Sequence, residues 1–264
     1  SSSTIVFSNF KHLTGGNQND TFNFESTGNI TGFIDGAGHR EQDVVDVSKS
    51  VNPNIVITAT GAESGYANIE KFIGNNITSS ITGDNRLNNW VVHNNSGTIN
   101  SSIMFEGFAN LIGGNNQDTF LLDNAALSGY IDGSGGNDTF TLAQSSVAGG
   151  IRGGAGDDVF NITVANGFAG TLDIRGGQGD DRLFISGGDA NYKATHQQGV
   201  LQYTSPANLV YTANYSDIME ITDSVIADSL AVSGTSASDI FTLQNNKYWL
   251  NPALSVNYLQ KQKL

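Results

Sequence analysis

The chain lacks cysteine. That excludes a disulfide framework and a thiolate metal site, and it leaves the redox compartment open. Charge is scarce too, at 14% of residues, which argues against a helical surface laced with ion pairs. Proline occurs only 3 times, whereas glycine occurs 32 times amid frequent Asn, Ser and Thr, the composition of short strands joined by turns. Basic residues number 12 against 25 acidic ones, a net charge of −13. Nucleic acid is thereby disfavoured as a partner, because its binding rests on Lys and Arg neutralising phosphates. No apolar run approaches the length of a membrane span, and no signal peptide is visible. A first residue Ser1 and an end soon after Lys261 suggest a segment of a longer polypeptide.

What the chain does have is repetition. From Leu111 to Ile185 an apolar residue four times leads into a Gly-rich turn, an Asp closes the turn, and alternating apolar residues follow: LIGGNNQDTFLL, IDGSGGNDTFTL, IRGGAGDDVFNI and IRGGQGDDRLFI. The closing residues are Asp118, Asp138, Asp158 and Asp181, at spacings of 20, 20 and 23. A fixed period of this length marks a stacked architecture in which each coil contacts only its neighbours. The expected fold is all-β, a right-handed parallel β-helix or β-roll solenoid with coils of about 20 residues.

The same unit recurs earlier and later. LTGGNQNDTFNF (Leu13 to Phe24) repeats the central copy at a distance of 98 residues, and VSGTSASDIFTL near the end carries Asp239 and Phe241 as a decayed version. Between them, Ile81 to Val92 reads as a degenerate coil with Asn88 in the Asp position and Trp90 in the aromatic one. Triplets spaced by three precede several copies: Phe7, Phe10, Leu13; Tyr66, Ile69, Phe72; Phe105, Phe108, Leu111; Tyr215, Ile218, Ile221. Each is too short for two helical turns and reads as a bend feeding a strand. Residues 1–189 thus form a regular part, and 190–264 a less regular continuation. Residues 186–220, with four Tyr and no turn motif, read as wider coils or an excursion from the stack.

Overlaying the copies gives an apolar column at Phe22, Trp90, Phe120, Phe140, Phe160, Leu183 and Phe241, and a second one two residues on. Strict alternation predicts strands with one face buried. Burying each Phe is worth about 1.5–3 kcal/mol.

Stacking also aligns the turn Asps about 4.8 Å apart. At that spacing two carboxylates repel by about 3–4 kcal/mol at an effective dielectric of 20. A cation between them relieves this. Calcium suits the gap as a hard ion taking six to eight oxygens in flexible geometry, whereas Mg²⁺ demands an octahedron and keeps its water.

GGAGDDVFN (Gly153 to Asn161) and GGQGDDRLF (Gly176 to Phe184) match the nonapeptide G-G-x-G-x-D-x-U-x, and so resemble calcium-binding RTX β-rolls. The leads before the turns and the segment Asn88 to Asn100 resemble repeat regions of very large bacterial exoproteins and adhesins. The resemblance implies a secreted or cell-surface rod, with carboxylates from Asp138, Asp158, Asp181 and Asp118. Turn backbone would supply the other ligands, at Gly154, Gly156, Gly177 and Gly179. Asp157 and Asp180 would lend carbonyls at most. One nonapeptide per coil, rather than the family's back-to-back array, would confine calcium to one edge. Implied partners, besides calcium, are cell-surface glycans, matrix polysaccharide or neighbouring copies of the chain.

Plainer readings stand beside these. The turns satisfy an ordinary tight-turn role for Gly, Asn and Asp. His12, His39, His93 and His196 show no ligand spacing, and Arg152 and Arg175 share an outer column with Asp132. No clustered Lys, Arg, His and Tyr constellation marks a catalytic centre, so no enzyme activity is expected. The alternative is a non-catalytic module or β-helix scaffold of a secreted polysaccharide lyase or epimerase.

Overall fold

The computed structural model describes residues 10–26, 28, 30, 32–38, 40–57, 65–165, 168–189 and 191–233, together with the strands Phe241–Gln244, Lys247–Leu250 and Ser255–Tyr258. Phe7, His39 and Asp239 lie outside these residues. The described chain is all-β and contains no helix. No helix long and apolar enough to cross a membrane is therefore present among the described residues.

The described strands form three open sheets. A long sheet runs from the edge strand Thr21–Asn23 to the edge strand Phe241–Gln244, a second runs from Asn54–Val56 to Ser229–Ser233, and a short one joins His12–Thr14, Phe33–Asp35 and Gly65–Ala67. Within the central copies the pairing is parallel and follows the sequence period. Leu111, Ile131, Ile151 and Ile174 are successive partners in the second sheet, as are Phe120, Phe140, Phe160 and Leu183 in the long one. The Gly-rich turn in each copy carries the chain from the second sheet to the long one.

Alternation buries one face of these strands. Trp90, Phe120, Phe140 and Phe160 are fully enclosed, and their rings stack: Trp90 on Phe120 at 5.4 Å, Phe120 on Phe140 at 5.1 Å, and Phe140 on Phe160 at 5.0 Å, the last two within 7° of parallel. Ring spacing matches strand spacing. Each stacked pair adds about 0.5–1.5 kcal/mol to the burial of its area.

The aromatic-led triplets beginning at Tyr66, Phe105 and Tyr215 are bends between sheets, and the one beginning at Phe7 starts outside the described residues. Phe105 lies in the strand Ile103–Glu106, Phe108 in the bend, and Leu111 in the strand Asn110–Gly114, all three buried.

Among the described residues three antiparallel meanders interrupt the parallel order. The first, Asn89–Asn94, Ser96–Ile99 and Ile103–Glu106, sits inside the long sheet. Asn94, Asn100 and Ser101 take left-handed backbone at its reversals, a conformation that Asn tolerates better than most residues. The coil beginning at Ile81 therefore keeps Trp90 in register with Phe120 and then folds back. The second meander, Lys193–Gln197, Val200–Thr204 and Val210–Ser216, occupies the irregular segment and is an excursion rather than a wider coil. Its last strand nevertheless pairs in parallel with Gly170–Gln178, so residues before and after 190 share a sheet. The third comprises Phe241–Gln244, Lys247–Leu250 and Ser255–Tyr258.

Candidate metal centre in the turn column

The turns stack so closely that glycine is required twice over. Gly154 and Gly156 have φ of 116° and 128°, and Gly177 and Gly179 have 116° and 129°, values L side chains rarely adopt. A Cβ on Gly156 would lie 2.1 Å from the carbonyl oxygen of Gly136, and one on Gly179 would lie 2.1 Å from that of Gly156. The Gly154 carbonyl likewise abuts Gly177. These four glycines form the contact between turns. In the copy that departs from the motif, Ser134 reaches φ 73° and donates its N–H to Asp132 Oδ1 at 3.0 Å.

Inside the turns the four Asp carboxylates form a column with 0% exposure. Each Oδ1 accepts the backbone N–H of the matching residue one copy earlier: Asn88 to Asp118 at 2.7 Å, Asp118 to Asp138 at 2.7 Å, Asp138 to Asp158 at 2.8 Å, and Asp158 to Asp181 at 2.8 Å. The alignment was legible in the repeat; this use of Oδ1 was not. Each Oδ2 is buried without a hydrogen-bond partner.

The surroundings of those oxygens hold a second acceptor. At the place a Cβ of Gly133 would take, Asp138 Oδ2 is 2.1 Å away and the Gly153 carbonyl 2.5 Å; at Gly153, Asp158 Oδ2 is 2.1 Å away and the Gly176 carbonyl 2.5 Å. Gly113 and Gly176 repeat the arrangement with Asp118 and Asp181. Each Oδ2 thus lies with a backbone carbonyl oxygen around the place of a glycine's missing Cβ, and no hydrogen-bond donor reaches the Oδ2. Burial raises the pKa of each carboxyl accordingly, against the restraint of the backbone N–H bond and with a further rise from neighbouring carboxylates. Asp118 is pushed up to about 6, Asp138 and Asp158 to about 7, and Asp181 is also raised. A proton or a cation resolves the conflict.

Tested against calcium, the donor chemistry fits. Every available atom is a hard oxygen, and four carboxylate oxygens have no other partner. Among the described residues no three His, Asp or Glu side chains converge as a ligand set, so carbonyls would make up much of any coordination shell.

The column extends beyond the four. Asp43, fully buried, accepts the N–H of Asp20 at 2.7 Å, and its own N–H goes to Glu70 Oε2 at 2.8 Å. The insertion GAGHREQD disguised Asp43, and the following Val44-Val45-Asp46-Val47 alternation was its signal. Asp20 differs from the four, since its Oδ2 accepts the Gly16 N–H at 2.6 Å. Asn88 takes the Asp place with an amide that donates to Asp118 Oδ1 and to the carbonyls of Asp84 and Arg86.

An outer column also emerges. Asp157 N–H donates to Asn137 Oδ1 and Asp180 N–H to Asp157 Oδ1, both at 2.9 Å. The Asp157 carboxylate therefore staples turns, a role beyond the carbonyl contribution expected of it. Elsewhere Arg152 lies over the Tyr130 ring at 4.4 Å and 3.8 Å from Asp132, an exposed pairing of small energetic weight. His196, without ligand spacing in the sequence, places Nε2 2.9 Å from Asp223 Oδ2, with both side chains enclosed. That contact ties the second sheet to the long one. Their separation of 27 positions along the chain hid it.

Comparison with family models, with curated proteins and with solved structures found no match.

Proposed function

We propose that this chain is a calcium-stabilised, structural rod segment of a large secreted or cell-surface bacterial exoprotein of adhesin type. It is built as an RTX-like right-handed parallel β-helix or β-roll solenoid. The observation that carries the reading is the column of buried Oδ2 atoms on Asp118, Asp138, Asp158 and Asp181, each without a partner and crowded by a carbonyl oxygen. The parallel in-register copies support the rod, and the nonapeptides at Gly153 and Gly176 support the choice of ion.

In this reading the Asp Oδ2 atoms hold the ion, together with carbonyls such as those of Gly153 and Gly176. Bound calcium supplies positive charge to a buried acidic column. The chain's own contribution is to align the carboxylates through the Oδ1 bonds and to seal the turns with stacked glycine. Calcium binds only where the copies are stacked, so it stabilises the folded state by mass action, by about 2.7 kcal/mol per site at a hundredfold excess over the dissociation constant. At low calcium the acidic chain is less stable, and at the millimolar level that weak extracellular calcium modules require, the folded state gains the free energy of binding. Glycans, matrix polysaccharide or neighbouring copies are the surfaces such a rod would meet.

Circular dichroism melts in calcium and in chelator test the reading. A midpoint raised by calcium and unmoved by equal magnesium supports it; identical melts in calcium and chelator contradict it.

A further inference from the structure

The two edges of the long sheet that are open among the described residues are the separated halves of a seam that the chain already makes internally, and from this we infer that copies of the chain associate head to tail through them. The internal seam is the parallel pairing of Asn89–Asn94 with Thr119–Leu127, in which Trp90 faces Phe120 and Thr119 donates its N–H to the Asn88 carbonyl at 2.9 Å. One side of that seam is the first strand of an antiparallel meander. The other is the first strand after a Gly-Asp turn.

Both sides recur at the sheet's ends. The edge strand Phe241–Gln244 belongs to a meander whose register copies the first: Trp90↔Ile99, Val92↔Gly97 and Thr98↔Met104 correspond to Phe241↔Leu250, Leu243↔Tyr248 and Trp249↔Ser255. In both, the third strand joins the preceding parallel strand, through Phe105↔Phe72 and Val256↔Ile221. Asn89–Asn94 then pairs onward with Thr119–Leu127, whereas Phe241–Gln244 has no further neighbour in its sheet among the described residues.

The opposite edge, Thr21–Asn23, is the counterpart of Thr119–Leu121, for Leu13 to Phe24 repeats Leu111 to Leu122. It pairs with Val44–Asp46 through Phe22↔Val45, as Phe120 pairs with Phe140. Its other side is open among the described residues. The consequence is visible in packing: Phe120 and Leu122 are fully buried, whereas Phe22 and Phe24 are only partly covered. Neither edge strand carries the Lys or Pro that blunts an exposed strand.

Setting Phe241–Gln244 of one copy beside Thr21–Asn23 of the next rebuilds the seam with Phe241 opposite Phe22 and Thr242 opposite Asn23. The two surfaces differ, so the contact is heterologous and propagates into a filament unless the rotation closes a ring. Strand register and the partial cover of Phe22 and Phe24 carry this contact, independently of the calcium reading.

Sedimentation velocity on the purified chain in calcium buffer, combined with cross-linking, tests it. The weight-average mass of the parent rises roughly two-fold or more with concentration, as open heterologous association requires. Thr21→Pro removes a backbone N–H on the open side, since the Val44 N–H bonds the Asp20 carbonyl and the Phe24 N–H the Asp46 carbonyl on the paired side; this variant stays monomeric with an unchanged circular dichroism spectrum. Because the chain has no cysteine, Asn23→Cys and Thr242→Cys variants can be mixed and oxidised, and the mixed disulfide dominates over both symmetric ones. This second arm decides the matter if Thr21→Pro fails to fold. A parent that is monomeric at every concentration, association undiminished in folded Thr21→Pro, or a preponderance of symmetric disulfides overturns the inference.

Discussion

Asp158 donates its backbone N–H to Asp181 Oδ1 at 2.8 Å while its own Oδ2 is buried beside the Gly176 carbonyl with no donor. One residue is thus half satisfied by the fold and half in need of something positive. The consequences differ with and without the ion.

Asp158→Asn separates the two conditions. An amide keeps the acceptor for the Asp138 N–H and adds a donor, as Asn88 does in the same column. In chelator the variant melts higher than the parent, by the worth of relieving an unsatisfied buried group, about 1–3 kcal/mol. In calcium the order reverses. Parallel melts check it, and a variant destabilised equally in both conditions would speak against the ion.

Stability without calcium falls as pH rises. The folded carboxylates of Asp138 and Asp158 titrate near 7 and that of Asp118 near 6, above the ordinary Asp value of 3.8. Between the unfolded and folded values the folded chain holds more protons, so stability present at the acid end is lost from about pH 4 to pH 7. Urea midpoints in chelator across that range show the slope. Saturating calcium flattens or inverts it, because the ion competes with those protons.

Gly156→Ala combines a φ of 128° with a Cβ only 2.1 Å from the Gly136 carbonyl. It destabilises by more than about 1 kcal/mol. Gly135→Ala, whose Cβ meets nothing closer than 3.9 Å, changes the melting midpoint little. Equal effects of the two substitutions would contradict the stacked-turn geometry.

Phe140→Ala removes the central ring between Phe120 and Phe160 and costs about 3–5 kcal/mol. Phe184→Ala, on the outer face at 38% exposure, stays near the parent. Denaturant unfolding of both variants measures the difference.

The all-β class and the parallel pairing of the central copies were legible because two periods coincide: alternation by two buries Phe120, Phe140 and Phe160, and the repeat of 20 sets their register. The meanders were not. Local sequence makes Asn94 and Asn100 good turn residues without saying that Ser96–Ile99 pairs back on Asn89–Asn94. The Asp column could be aligned from spacing, yet the division of labour between Oδ1 and Oδ2 depends on atoms in the adjacent copy. Asp43 was masked by an insertion, and His196 with Asp223 by distance along the chain.

A crystal grown with calcium and measured at a wavelength where calcium scatters anomalously tests the central claim most directly. The account predicts peaks beside the Oδ2 atoms of Asp138, Asp158 and Asp181, with carbonyl oxygens completing each shell. A map featureless along the column, with each Oδ2 hydrogen-bonded as a protonated acid to a neighbouring carbonyl, would contradict it.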